Sequence, residues 1–150
     1  MRRPGIWILV VLLVLGVAQF FRPERTNPPD GFEIQASAEV SELLERSCYD
    51  CHSNRTEWPW YSNIVPVSWF VAGHVEKARA DLNLTEWPAM DPEEERFFLS
   101  NMKKKIKREE MPLPSYLLIH REAQLSTEER SRIILWIDRE LAGLAQFDLP

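Results

Sequence analysis

"SCYDCHSN", residues 47–54, contains both cysteines of this 150-residue chain and one of its three histidines. Cys48 and Cys51 are separated by two residues, and His52 follows the second cysteine directly. This C-x-x-C-H order is the attachment signature of c-type haem. Two thiols at this spacing can each add to one of the two haem vinyl groups, and the adjacent histidine can ligate the iron. The stretch therefore predicts one covalently bound haem c, with His52 as an axial ligand of the iron.

Other uses of a cysteine pair match the rest of the chain less well. A structural zinc site needs four nitrogen or sulfur ligands, but the chain has no second cysteine pair. His52, His74 and His120 could at most complete an irregular zinc site. A thioredoxin-like dithiol expects a βαβ context, whereas the chain shows no strand pattern. We therefore favour the haem interpretation over both.

Several side chains could fill the second axial position, on the side of the iron opposite His52. Methionine in that position raises the reduction potential relative to a second histidine. The candidates are Met90, Met102, Met111, His74 and His120. We favour Met111, which precedes a proline in a loop that can hold a thioether against the iron. His74 is the runner-up and is predicted on the buried side of a helix, whereas Met102 is expected in the helical core.

Composition and charge indicate one small globular domain without a nucleic-acid surface. Hydrophobic residues make up 45% of the chain, which is enough to build a core. The net charge is −5, and the one dense basic run, "KKKIKR" at 103–108, has glutamates close on both sides. Nucleic-acid binding needs a clustered basic patch, so we expect no nucleic-acid partner.

The N-terminus has the pattern of an export or anchoring segment. An apolar run extends from Ile6 to Phe21, interrupted by Gly16 and Gln19 and preceded by two arginines. A 16-residue helix spans roughly 24 Å of a bilayer core of about 30 Å, so a cleaved signal peptide is an alternative. Aromatic residues at both ends favour an anchor. We predict a transmembrane helix over 1–21, single-pass in a bacterial inner membrane, with the rest of the chain in the periplasm.

The remainder divides into a linker and a helical domain. Residues 22–36 are rich in proline and polar residues and predict an extended tether. Residues 37–150 form the predicted haem-binding domain, which is all-α. Four main helices are expected: one running into Cys48, one opening near Pro66, one capped by Asp91, and one opened by the S-x-x-E capping box at 126–129.

Three stretches carry a resemblance to a known family. They are "CYDCHSNRTEWPWYSNIVPVSWFVAGHV" (48–75), "LNLTEW" (82–87) and "EEMPLPSYLLIHREAQLSTEER" (109–130). Together they resemble the haem-binding domain family of membrane-anchored, cytochrome c-like bacterial proteins. The resemblance implies a cytochrome c-like fold, with haem on Cys48 and Cys51 and His52 as the proximal ligand. The Met-Pro pair also resembles the distal-ligand segment of small bacterial cytochromes c, which favours Met111.

The surroundings of the haem are predicted in outline. Axial histidines usually donate their other ring nitrogen to a backbone carbonyl or carboxylate, and we expect a loop carbonyl near Pro59 or Pro66 to accept from His52. Six further side chains could line the haem or bind its propionates, or could equally be ordinary core: Asn54, Arg55, Trp58, Trp60, Tyr61 and Arg79.

These features predict a membrane-tethered c-type cytochrome that passes single electrons between redox partner proteins at the periplasmic surface. The tether would let the domain swing between them. We expect no enzymatic activity, because the sequence shows no distinct acid–base set. The alternative is a haem enzyme or sensor, for peroxide reduction or gas binding, with an open or labile sixth position. A third interpretation is an accessory domain docked on a larger complex.

Overall fold

A computed structural model describes residues 4–87 and 91–146, and within these ranges the fold is all-α with no strand. The all-α prediction is therefore confirmed. The α-helices are α1 (Pro4–Ala18), α2 (Ala38–Ser47), α3 (Tyr49–His52), α4 (Val67–Asp81), α5 (Pro92–Lys107), α6 (Pro114–Leu117) and α7 (Thr127–Gln146). Short 3₁₀ turns occupy Gln19–Phe21, Trp60–Asn63 and Arg121–Ala123.

Side-chain caps set the starts of two main helices, and the cap at Asp91 is the one that the sequence predicts. Ser37 accepts a hydrogen bond from the backbone N–H of Val40 and opens α2. The Asp91 carboxylate accepts from the N–H of Glu94 at 2.8 Å and opens α5. Each cap satisfies an N–H group that has no partner within the helix. The predicted boundaries at these points are correct.

The core lies where α5 and α7 pack along each other and α2 packs against α7. Apolar side chains from these helices meet with those of the loop before α5. The fully buried members are Leu44, Leu84, Leu99, Ile133 and Ile137. Met102 belongs to this core, as predicted. The end of α2 and the adjoining α3 are thereby held firmly in place.

Helix α7 begins with a complete capping box. The Ser126 N–H donates to Glu129 at 2.7 Å, and the Glu129 N–H donates to the Ser126 hydroxyl at 3.2 Å. Arg46 of α2 also pairs with Glu129 at 2.7 Å. The Ser126 N–H, followed by Arg46, lowers the pKa of Glu129 from 4.5 to about 2. The ionised carboxylate therefore stabilises the fold and ties α7 to α2.

We expect Glu129→Gln to lower the free energy of unfolding at pH 7 by up to about 1 kcal/mol. Because folding depresses this pKa, the stabilisation is complete above pH 4.5 and is lost as the pH falls toward 2. The deficit of the variant should therefore shrink over that window. Denaturant unfolding at several pH values measures it, with Glu128→Gln as the control for removing a charge from the same turn. A deficit independent of pH would contradict this account.

The predicted transmembrane helix over 1–21 is not found. Helix α1 ends at Ala18 after 15 residues, and among the described residues no helix is both long enough and apolar enough to cross a membrane. At 1.5 Å per residue it spans about 22 Å, short of a bilayer core of about 30 Å. Its side chains from Ile6 to Val17 are nonetheless apolar and largely exposed.

The segment predicted as a tether, residues 22–36, lacks helices and strands but is bound to the domain. Its backbone makes hydrogen bonds to residues 84–87, for example from Ile34 N to Leu84 O at 2.9 Å. Ile34 is buried in the core. The structure thus corrects the prediction of a free linker, because a segment with these contacts does not let the domain swing.

Candidate functional site

The C-x-x-C-H stretch lies at the junction of α2 and α3. Cys48 ends α2, donating its N–H to Leu44 O at 2.8 Å, and it also begins α3. The N–H of His52 donates to Cys48 O at 2.9 Å, so one short helical turn contains the whole motif. Since α2 is anchored in the core, this turn presents Cys48, Cys51 and His52 from a rigid support.

The His52 ring is held in the form that ligates a metal. Its Nδ1 lies 3.1 Å from Ala78 O and 3.0 Å from Leu82 O. Both neighbours accept hydrogen bonds, so Nδ1 carries the proton and Nε2 keeps a free lone pair. Burial lowers the pKa of His52 below 6.5, which favours the neutral ring. A neutral imidazole oriented through its other nitrogen is the usual state of a metal-binding histidine.

The acceptors of the His52 bond are not the predicted ones. The sequence analysis placed the acceptor near Pro59 or Pro66, whereas the carbonyls belong to the C-terminal end of α4. Leu82 caps the C-terminal end of α4, where carbonyls lack partners within the helix, and Ala78 O accepts from His52 in addition to the Leu82 N–H. Only the packing of α3 against α4 brings Ala78 near His52, and no local pattern reveals it.

A cavity of about 530 Å³ opens beside the motif. This volume is within the range of about 300–1,000 Å³ typical of cofactor and ligand sites. Cys48, Cys51, His52 and Met111 all line it. Seven further lining side chains are apolar and come from α4, the end of α5, the segment around α6 and the loop before α7: Trp69, Phe70, Ala78, Ile106, Pro112, Leu113 and Leu125.

Among the candidates for the second axial position, Met111 is the methionine that the structure brings to this cavity. It is half-buried in the loop between α5 and α6, and its carbonyl accepts from Arg130 at 3.3 Å. Met102 is only 8% exposed in the core and does not line the cavity. Met90 lies outside the described residues.

His74 borders the cavity, but its predicted burial is wrong. The side chain is exposed, its Nδ1 donates to Phe70 O at 2.9 Å, and its ring lies 4.0 Å from that of Phe70. The buried face of α4 is formed instead by Ser68, Ala72 and Val75. The side of α4 that carries Phe70 and His74, which the sequence predicts as an apolar face, lines the cavity.

The His120 ring contacts three other side chains. Its Nε2 lies 2.7 Å from the Tyr61 hydroxyl, its Nδ1 lies 3.1 Å from Glu122, and its ring stacks on Tyr116 at 4.3 Å. It lines an adjoining cavity of about 340 Å³ and not the one beside His52. His120 is therefore the weaker of the two histidine alternatives.

Comparison with known families agrees with this geometry. Residues 13–139 match the family model described as the haem-binding domain. The chain belongs to the haem-binding domain family. Neither a curated protein nor a solved structure matches it.

The thiols of this haem-binding domain differ from reactive dithiols in the direction of their pKa shift. Both cysteines are free, and burial raises the pKa of Cys48 to about 12 and that of Cys51 to about 11. Reactive dithiols instead have a lowered thiol pKa. Within residues 4–87 and 91–146, no group of three or more histidine, cysteine or acidic residues could hold a metal ion. The zinc and redox interpretations therefore gain no support.

The six side chains predicted to surround the haem do not line the cavity beside His52. Arg79 instead binds Ser53 O at 2.7 Å, Thr26 O at 2.8 Å and Thr56 Oγ1 at 2.8 Å. Arg55 pairs with residues of the 22–36 segment, and Asn54 is buried in a polar network. Trp60 and Tyr61 line the adjoining cavity, and Trp58 donates to Asn27. These residues therefore lie outside the cavity beside His52 and support the segments around the motif.

The polar groups that do line the cavity beside His52 were not predicted from the sequence. The Tyr116 hydroxyl donates to Asp50 Oδ2 at 2.6 Å, and both residues line the cavity. Lys77 and Asp81 of α4 also border it. Ser47 Oγ, on its wall, is buried without a hydrogen-bond partner. Asp50 could have been noticed because it lies between the cysteines, but nothing in the sequence pairs it with Tyr116.

The site fits a haem in its chemistry. A flat apolar macrocycle needs a large apolar cavity, and its iron needs a neutral imidazole with a free Nε2. The cavity, the His52 ring and the thioether of Met111 meet these needs within one space.

Proposed function

We propose that this haem-binding domain is a c-type cytochrome domain that holds one haem covalently and carries single electrons. Each thiol, of Cys48 and of Cys51, would add its S–H across one vinyl double bond. One C–S and one C–H bond form, so no oxidant or reductant is needed. The observation that carries the proposal is that one apolar cavity is lined by both thiols, by His52 and by Met111.

The residues have separate roles in this proposal. His52 would bind the iron through Nε2, held in orientation by the carbonyls of Ala78 and Leu82. Met111 would supply the second axial ligand. When bound, the haem iron supplies a one-electron couple, and the apolar walls of the cavity limit the access of water. With both side chains bound to the iron, no position would stay open for a substrate, and this would suit electron transfer.

We further propose that α1 attaches the domain to the bacterial inner membrane, with the haem site in the periplasm and redox proteins as partners. A helix that is apolar on all sides needs an apolar environment on all sides. The α1 side chains from Ile6 to Val17 are exposed on all sides of the helix. Lipid meets this requirement more simply than one face of another protein.

The test is to purify the full chain with haem and extract it with acidified acetone. We expect the haem to stay on the denatured polypeptide and the mass of the chain to rise by that of one haem. The variant with both Cys48→Ser and Cys51→Ser should lose its haem in the same extraction. Release of haem from the unmodified chain would contradict covalent attachment. Ready binding of carbon monoxide by that chain would favour the alternative of a haem enzyme or gas sensor.

A further inference from the structure

We propose that a second surface of this domain lies in the lipid headgroup layer, so that the haem domain rests on the bilayer in a fixed orientation. This surface, the apolar rim, consists of Trp60, Ile64, Val67, Trp69 and Phe70. The proposal rests on the proposed attachment of α1 to the membrane and goes beyond it, because attachment by a free linker would leave the orientation open.

The turn that follows α1, Gln19–Phe21, is bound to the segment that contains the rim. The Gln19 amide bonds reciprocally with the backbone of Val65, at 3.3 Å to its carbonyl and 3.2 Å from its N–H. The indole N–H of Trp69 donates to Phe21 O at 2.7 Å, and Arg22 donates to Asn63 O at 3.3 Å. Whatever environment surrounds α1 therefore lies beside the rim as well.

The rim is exposed and free of charge. Outside 4–21, the described residues include ten exposed large hydrophobic side chains, and five of them are the members of the rim. Trp60 is 75% exposed and Phe70 57%. Residues 58–75 contain no Asp, Glu, Lys or Arg, although 27% of the chain is charged. Trp60, Val67 and Phe70 line one cavity, and Trp69 lines the neighbouring one together with Phe70. Exposed apolar side chains grouped in this way mark an interaction site.

The chemistry of the rim suits a bilayer surface. Tryptophan is enriched where membranes meet water, because its ring is apolar and its N–H is polar. Arg22 and Arg25 lie at the same junction, with Glu24 between them, and both donate to the 60–63 turn. Long arginine side chains near the end of an apolar helix can reach the polar layer of a bilayer. Since α1 is apolar all round, the occupant that covers helix and rim together is lipid.

The orientation has a consequence for electron transfer. Trp69 and Phe70 belong to the rim and also line the haem cavity. With the rim in the headgroup layer, this edge of the cavity faces the bilayer. Electrons would then be exchanged with a partner that resides in or on the membrane.

The experiment measures how vesicles protect the rim from a water-soluble reagent. Ile64→Cys is introduced into the full chain with its haem, with Ser100→Cys on the exposed face of α5 as the matched control. Each variant reacts with a charged maleimide, with and without vesicles of phosphatidylethanolamine and phosphatidylglycerol, and mass spectrometry follows the rate. We expect vesicles to slow the reaction at position 64 by about tenfold or more and to leave position 100 unchanged. Val67→Cys repeats the test, because cysteine is close in size to valine.

The outcomes separate this proposal from those on which it rests. Co-flotation of the protein with vesicles, together with protection at 64, supports the rim. Co-flotation with equal rates at 64 and 100 overturns the rim and leaves the attachment by α1. Absence of co-flotation overturns both. Protection at 64 without vesicles, rising with protein concentration, assigns the rim to a second copy and overturns lipid docking. Labelling of the chain that carries no added cysteine would show that Cys48 and Cys51 are free. That result would contradict only the covalent attachment of the haem.

Discussion

Replacing His52 with alanine is expected to abolish the six-coordinate haem. The variant removes the imidazole that α3 presents to the cavity and whose Nδ1 is bonded to Ala78 and Leu82. Loss of an outer-shell partner alone costs about 10–100-fold in metal affinity, so we expect loss of the ligand itself to cost more. The absorption spectra of the oxidised and reduced protein measure the effect, together with the yield of holoprotein.

Two control variants test whether the effect is specific to His52. His120→Ala removes a histidine bonded to Tyr61 and Glu122, and His74→Ala removes one bonded to Phe70. We expect both to keep the spectrum of the unmodified protein. Added imidazole should restore a six-coordinate spectrum to the His52 variant, because it supplies the missing group without the chain. An unchanged spectrum in the His52 variant would show that His52 does not bind the iron.

Local patterns in the sequence predict much of this structure. The spacing of Cys48, Cys51 and His52 indicates the cofactor, because attachment chemistry sets that spacing. The caps at Asp91 and Ser126 mark helix starts through hydrogen bonds from residues three positions along. Such features depend on few neighbours and can be recognised without knowing the fold.

Features that depend on distant contacts were predicted less well. The apolar stripe of α4 was recognised, but the side that faces the core could not be separated from the side that faces a cofactor cavity, and His74 was placed wrongly. Residues 22–36 have the composition of a linker, yet pairing with 84–87 holds them to the domain. Gln19 looked like an interruption of the apolar run, whereas its amide joins α1 to Val65.

Met111→Ala is expected to open the sixth coordination position and to lower the reduction potential. The side chain lines the cavity with His52, and a thioether ligand favours the reduced iron more than nitrogen or water does. We expect a fall on the order of 0.1 V or more, within the roughly 0.8 V over which axial ligands tune haem. The weak far-red absorption band of methionine-ligated ferric haem should disappear, and carbon monoxide should bind readily. Redox titration and optical spectra measure these effects.

Met102→Leu is the matched control, because it changes the other described internal methionine without touching the cavity. That variant should retain the far-red band and the potential. In a second variant, Met111→His, nitrogen ligation should restore six-coordination at a lower potential than methionine gives. If Met111→Ala keeps the band and the potential, another side chain holds the iron. His74 would then be the next to replace, since its ring lies on the cavity edge and its Nδ1 is occupied by Phe70.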